Sequence, residues 1–201
     1  MNKFGMLLVA GAIAAGSSGM AMAADLAAPA PVVPAATDWD GPYIGAALGY
    51  GWGRLTDSAT GATATSSGWS VGGQAGYNFH LSDILVLGAE GDLNWSDETG
   101  TIGGASFRKN WDGSLRGRFG VDVDGIMPYV EAGVAFTNAT IGPDSASLTG
   151  WTAGGGLEVK VADPVSVNVE YRYANYGSAT FGGTGYSLTD NSVRLGLNYH
   201  F

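Results

Sequence analysis

The sequence predicts an all-β protein, an eight-stranded antiparallel up-and-down transmembrane β-barrel. Three observations predict it. Eight segments alternate with period two, and the apolar face of each carries no charge. Short and long joints alternate between those segments, as in barrels with tight turns on one membrane side and loops on the other. Aromatic residues collect at the two ends of the segments, where amphipathic rings meet a membrane–water interface.

The elements follow in chain order. Lys3, an apolar run from Phe4 to Ala15 and the small-x-small site Ala21-Met22-Ala23 read as a signal peptide over 1–23. The Ala- and Pro-rich stretch 24–40 reads as an extended periplasmic tail. The barrel domain is 41–201. Its first segment places Ile44, Leu48, Tyr50 and Trp52 on one face; the second Trp69, Val71, Tyr77 and Phe79; the third Leu85, Leu87, Leu93 and Trp95. The fourth places Trp111, Leu115 and Phe119 together, the fifth Val130, Val134 and Phe136, and the sixth Trp151, Leu157 and Val159. The seventh shows Val165, Val169, Tyr171 and Tyr173, and the last Val193, Leu195, Leu197, Tyr199 and Phe201. A soluble sandwich also alternates, but its outward face is polar.

The long joints run over 54–67, 96–106, 138–147 and 174–191. They read as solvated external loops made mildly acidic by Asp57, Asp97, Glu98, Asp144 and Asp190. Trp52, Trp69, Trp95, Trp111, Phe136, Trp151 and Tyr173 lie next to those joints and form one aromatic girdle; Tyr77, Phe79, Phe119, Tyr199 and Phe201 form a second.

The opposite faces hold glycine, small polar residues and charges. Glu90, Asp92, Asp112, Glu131, Glu158 and Glu170 oppose Arg116, Arg118, Lys160, Arg172 and Arg194. Glu90 and Asp92 are expected beside Arg116 and Arg118, and Glu170 beside Lys160 and Arg194, because opposite charges pair across a ladder. Eight strands enclose space just wide enough for side chains, so this set predicts a salt-bridged plug. The alternative is a narrow pore in which the many inward glycines leave water-filled gaps.

Other classes are disfavoured. A net charge of −9 suits nucleic acid poorly. There is no cysteine for a disulfide or thiolate metal site, and Gly154-Gly155-Gly156 lacks the Lys-Ser/Thr of a phosphate loop. His80 falls in a short turn and His200 near the end of the last strand, away from the external rim, so no catalytic residue, metal or cofactor is assigned.

In order and spacing the segments resemble the small OmpA-like outer-membrane barrels. Trp39-Asp40-Gly41-Pro42-Tyr43-Ile44-Gly45, Glu170-Tyr171-Arg172-Tyr173 and the terminal Asn198-Tyr199-His200-Phe201 are similar to the alphaproteobacterial surface outer-membrane protein group, the "porin family". The resemblance implies the cell outer membrane, contact with lipid and lipopolysaccharide, delivery by periplasmic chaperones, and a C-terminal signal at Tyr199 and Phe201 read by the outer-membrane assembly machinery. The plugged interior reads as a monomeric structural barrel that supports envelope integrity and displays surface loops, with a narrow small-solute or ion pore, or an adhesin or ligand-binding surface protein, as alternatives.

Overall fold

A computed structural model describes residues 39–102, 105–142, 144–181 and 184–201. The signal peptide and most of the tail, residues 1–38, lie outside the described residues. Among the described residues nine strands form: β1 (Gly41–Asp57), β2 (Thr63–His80), β3 (Leu85–Ser96), β4 (Thr99–Ile102), β5 (Ala105–Val121), β6 (Ile126–Ile141), β7 (Asp144–Ala162), β8 (Val165–Phe181) and β9 (Thr184–His200). β4 continues the line of β3, pairing with β2 on one side and β5 on the other. The nine strands therefore make eight staves. Each is antiparallel to its neighbours, and β1 pairs with both β2 and β9, closing the sheet.

Closure follows from the pattern. Every backbone N–H and C=O in hydrocarbon needs a partner, and only a sheet without edges supplies one for all strands. The first and last strands meet over fifteen register pairs from Tyr43↔His200 to Asp57↔Tyr186, and the Phe201 amide donates to Pro42 O at 3.1 Å. The short turns are tight. Asp124 and Gly125 both take positive φ (52° and 81°), and Val123 and Ile126 exchange backbone hydrogen bonds across them. That is the two-residue hairpin for which an Asp-Gly pair is suited.

The outer surface carries the apolar faces read from the sequence. Ile44, Leu48, Val71, Leu93, Leu115, Val130, Leu157, Val169, Leu195 and Leu197 all stand exposed. The girdle aromatics ring one level of this surface, with Tyr50 against Trp69 at 5.2 Å and Trp151 against Tyr173 at 5.3 Å between ring centroids.

The long joints are not long loops. β1 runs on to Asp57, β2 begins at Thr63, β6 reaches Ile141 and β7 begins at Asp144. The strands pass the aromatic girdle by five to eight residues, about 17–26 Å of chain. Beyond the girdle the polarity of the wall reverses. Arg54, Thr65, Arg108, Ser147 and Thr149 face outward, while Leu55, Phe107, Ile141, Leu148, Tyr176 and Leu188 are buried inside. The outer face has left the hydrocarbon, so it becomes polar and the interior becomes an ordinary apolar core. The reversal hid these strands in the sequence, because a fixed assignment of apolar residues to the outside fails there.

Two bulges sharpen the shift. A register irregularity between Lys109 and Trp111 lets Lys109 point inward although it shares sequence parity with outward-facing Trp111. Another falls between Asn175 and Ser178, where Tyr176 keeps the inward parity of Arg172 and Ala174. A bulge inserts one residue and resets the alternation.

Replacing outward Leu115 by arginine puts a charge in the middle of the lipid-facing band; refolding into vesicles under denaturant is expected to show a loss of about 2–4 kcal/mol. Arginine at Ser147, past the girdle, is expected to stay within about 0.5 kcal/mol of the parent. At the β1–β2 tip, the Ala59 and Thr60 amides donate to the Asp57 carboxylate at 2.8 and 3.1 Å and lower its pKa from the ordinary 3.8. A depressed carboxylate stabilises the fold above its unfolded pKa and loses that effect as pH falls through the folded value. Amide exchange of Ala59 and Thr60, followed by NMR, is expected to lose protection only below that pH.

Candidate functional site in the barrel lumen

The inward positions of β3, β5, β6, β7, β8 and β9 bring the predicted charges together. Register places Glu90 opposite Arg116, Arg118 opposite Glu131, and Glu170 opposite Arg194. The Arg116 side chain is fully buried and is the hub: it bonds Glu90, Asp92 and Ser114, and its Nε lies 2.9 Å from Glu131. Asp92 also faces Arg172 and Arg194, each at 3.2 Å. Arg172 holds Glu170 at 2.7 Å, and Arg194 donates to Asn94 at 2.9 Å. Towards the short turns, Arg118 donates to Glu158 at 2.7 Å and to the Tyr43 hydroxyl at 2.8 Å, and its guanidinium stacks 3.9 Å from the Tyr129 ring centroid. The Tyr43 hydroxyl in turn donates to Glu90 at 2.6 Å. Arg116, Arg118 and Arg172 each meet more than one carboxylate, and Arg194 meets Asp92 and Asn94, which supplies the partners that desolvated charges require.

Two predicted members sit elsewhere. Asp112 lies on the girdle side, bonded by Asn94 at 3.2 Å and 3.7 Å from Lys109. Lys160 does not reach Glu170. Register sets Lys160 opposite Ser166 and gives Gly156 to Glu170, so Lys160 lies near the short-turn mouth, its Nζ 5.1 Å from the Trp39 ring. The expected pairing failed because two strands in register offer each residue one direct partner, and four residues separate Gly156 from Lys160.

A second buried cluster was not expected. Lys109 holds Glu98 at 2.6 Å and also bonds Asp190, with Asp112 behind; Ser66 donates to Glu98 at 2.6 Å. Glu98 and Asp190 were read as solvated loop acids. They are buried, because the strands extend past the girdle and enclose Asp190 on β9 and Glu98 in the break between β3 and β4. The Lys109 bulge is invisible to a strict period-two reading.

Both ends are closed. Leu55, Phe107, Ile141, Leu148, Tyr176 and Leu188 fill the long-hairpin end. Trp39, fully buried, packs with Val86 and Met127 at the other, edge-on to His200 at 5.5 Å. The inward glycines do not leave gaps. A Cβ at Gly76 would lie 2.4 Å from the Tyr43 ring, and one at Gly156 2.7 Å from the Tyr129 hydroxyl; these glycines make room for aromatic side chains from the next strand. The cavity between the two ionic clusters, lined by Asp112, Asp190, Arg172 and Arg194, measures about 20 Å³, enough for roughly one water.

The histidines sit outside any catalytic arrangement that geometry supports. His80 meets Asp40 at 2.8 Å in a turn. His200 Nε2 contacts Ser166 Oγ at 2.9 Å, but Ser166 donates to Glu158 at 2.6 Å and no carboxylate orients His200 Nδ1. A nucleophilic relay needs that third group on the far ring nitrogen.

A family model for the outer membrane protein beta-barrel domain matches residues 12–201. The chain belongs to the outer-membrane β-barrel family. It is 35% identical over 215 aligned positions to the 25 kDa outer-membrane immunogenic protein of Brucella abortus biovar 1 (strain 9-941), covering 100% of both chains. It is 33% identical over 183 positions to the 22 kDa outer membrane protein of Rhizobium leguminosarum bv. viciae, covering 86% of this chain and 82% of that one. Neisserial surface protein A shares the fold with a TM-score of 0.57 at 16% identity, over 80% of this chain and 97% of that chain. The protein is an outer-membrane protein of the alphaproteobacterial group, surrounded by outer-membrane lipid. The short turns then face the periplasm and the long hairpins the outside.

Arg116→Met leaves Glu90, Asp92 and Glu131 without their shared cation. Urea titration of the vesicle-inserted barrel is expected to show a loss of about 3–5 kcal/mol, the cost of breaking one partner out of a buried ionic cluster.

Proposed function

We propose that this protein is a sealed, non-catalytic structural barrel of the outer membrane. It supports envelope integrity and presents a short, rigid collar of hairpins to the outside. The observation that carries this reading is the filled lumen: an apolar core over a lysine cluster, an arginine–carboxylate network beneath, and the Trp39 stopper at the periplasmic mouth. Ion transit would require several buried pairs to break in sequence, each at a cost of several kcal/mol.

The barrel acts as a monomer. Tyr199 and Phe201, exposed at the end of β9 with ring centroids 5.1 Å apart, present the C-terminal mark read by the assembly machinery after delivery by periplasmic chaperones. Both side chains face outward on the strand that closes the barrel, so they are accessible before β9 meets β1.

Planar-bilayer recording tests the proposal. The refolded protein is expected to insert without stepwise current, and the Trp39→Ala variant to stay silent, because the ionic network remains. Reproducible ion-selective steps from the parent would replace this reading with that of a narrow pore.

A further inference from the structure

The outward face is not evenly packed. Register aligns one row of small residues directly across neighbouring staves: Tyr77↔Ala89, Ala89↔Gly117, Gly117↔Ala132, Ala132↔Ala153 and Ala153↔Tyr173. The row climbs from Tyr77 in the periplasmic girdle to Tyr173 in the external one. At strand spacing it is about 24 Å long. A ridge of Leu87, Phe119 and Val130 borders it on the periplasmic side, and Leu115 and Val134 border it on the other. The side chains border a shallow open groove of about 560 Å³ over Ala89, Gly117 and Ala132, with Tyr77 and Phe79 at its lower end.

We propose that this groove binds an acyl chain of an inner-leaflet phospholipid whose headgroup carries an ammonium. Three observations select that occupant. The groove opens onto the lipid-facing surface in the periplasmic half of the band, where inner-leaflet chains lie. Its floor is one residue wide, with each ridge about 7 Å away along the strand. That width suits a single polymethylene chain, whereas a second barrel would need a flat contact of about 800 Å² per partner. Beneath the same staves, the β2–β3 and β5–β6 turns are tied by the Asp122 amide donating to Ile84 O at 2.8 Å, and they expose Asp83 and Asp124. A terminal ammonium meets opposite charge there; an anionic headgroup meets like charge.

The groove can be filled without touching the lumen, since an added Cβ at Gly117 meets nothing within 4 Å. The test is native mass spectrometry of the full folded barrel released from nanodiscs of phosphatidylethanolamine or of phosphatidylglycerol. The parent is expected to retain one phosphatidylethanolamine, and Gly117→Leu and Ala132→Leu to lower that retention about tenfold. Leu195→Ala, on the opposite wall, is expected to leave it unchanged. Heat-modifiable electrophoretic mobility establishes that each variant is folded. Retention unaffected by both filling variants, or equal retention of phosphatidylglycerol, overturns the proposal. Cross-linking between barrels through a Gly117→Cys variant would overturn it in favour of a second copy of this chain.

Discussion

Closing eight staves leaves a lumen the width of its own side chains, and the rest of the molecule answers to that restriction. The inner face cannot be apolar throughout, because the chain must cross the periplasm and remain soluble before it inserts. It cannot be freely charged either, because its centre has room for about one water and each charge there needs a protein partner. Arg116 resolves the conflict by bridging Glu90, Asp92 and Glu131, with Arg118, Arg172 and Arg194 extending the net to Glu158, Glu170 and Asn94. Glycines then follow of necessity: Tyr43 and Tyr129 fit into the lumen only because Gly76 and Gly156 face them.

The girdle marks where the solvent changes, and the wall obeys the solvent rather than a single pattern. Inside the band, apolar residues face out and ions face in. Past Trp52, Trp69 and Trp111 the outer face meets water, so Arg54 and Arg108 turn outward while Leu55 and Phe107 turn inward. The hairpins consequently behave as a small soluble β-barrel set on a membrane-spanning one. The Lys109 cluster lies at the junction, below the apolar cap and above the arginine network.

The packing of the lumen and the shape of the outer surface thus have separate origins. The lumen is filled by long side chains reaching across it. The lipid face is shaped by size alone, and the rank of Ala89, Gly117 and Ala132 leaves a hollow among larger neighbours. Nothing in the lumen depends on that hollow, since the same strands present their charges to the other side.

By itself the sequence determined the fold class, the outward faces, the short turns and most members of the ionic network, because the parity of a strand is local and any Glu90 or Arg116 on the polar face must point inward. What the tertiary structure alone decided was where parity breaks and who meets whom. The bulge that turns Lys109 inward, the burial of Glu98 and Asp190, the separation of Lys160 from Glu170 and the seating of Trp39 depend on register between strands and on enclosure by segments distant in the chain. Register is set by pairing over the whole closed sheet, and no local pattern carries that information.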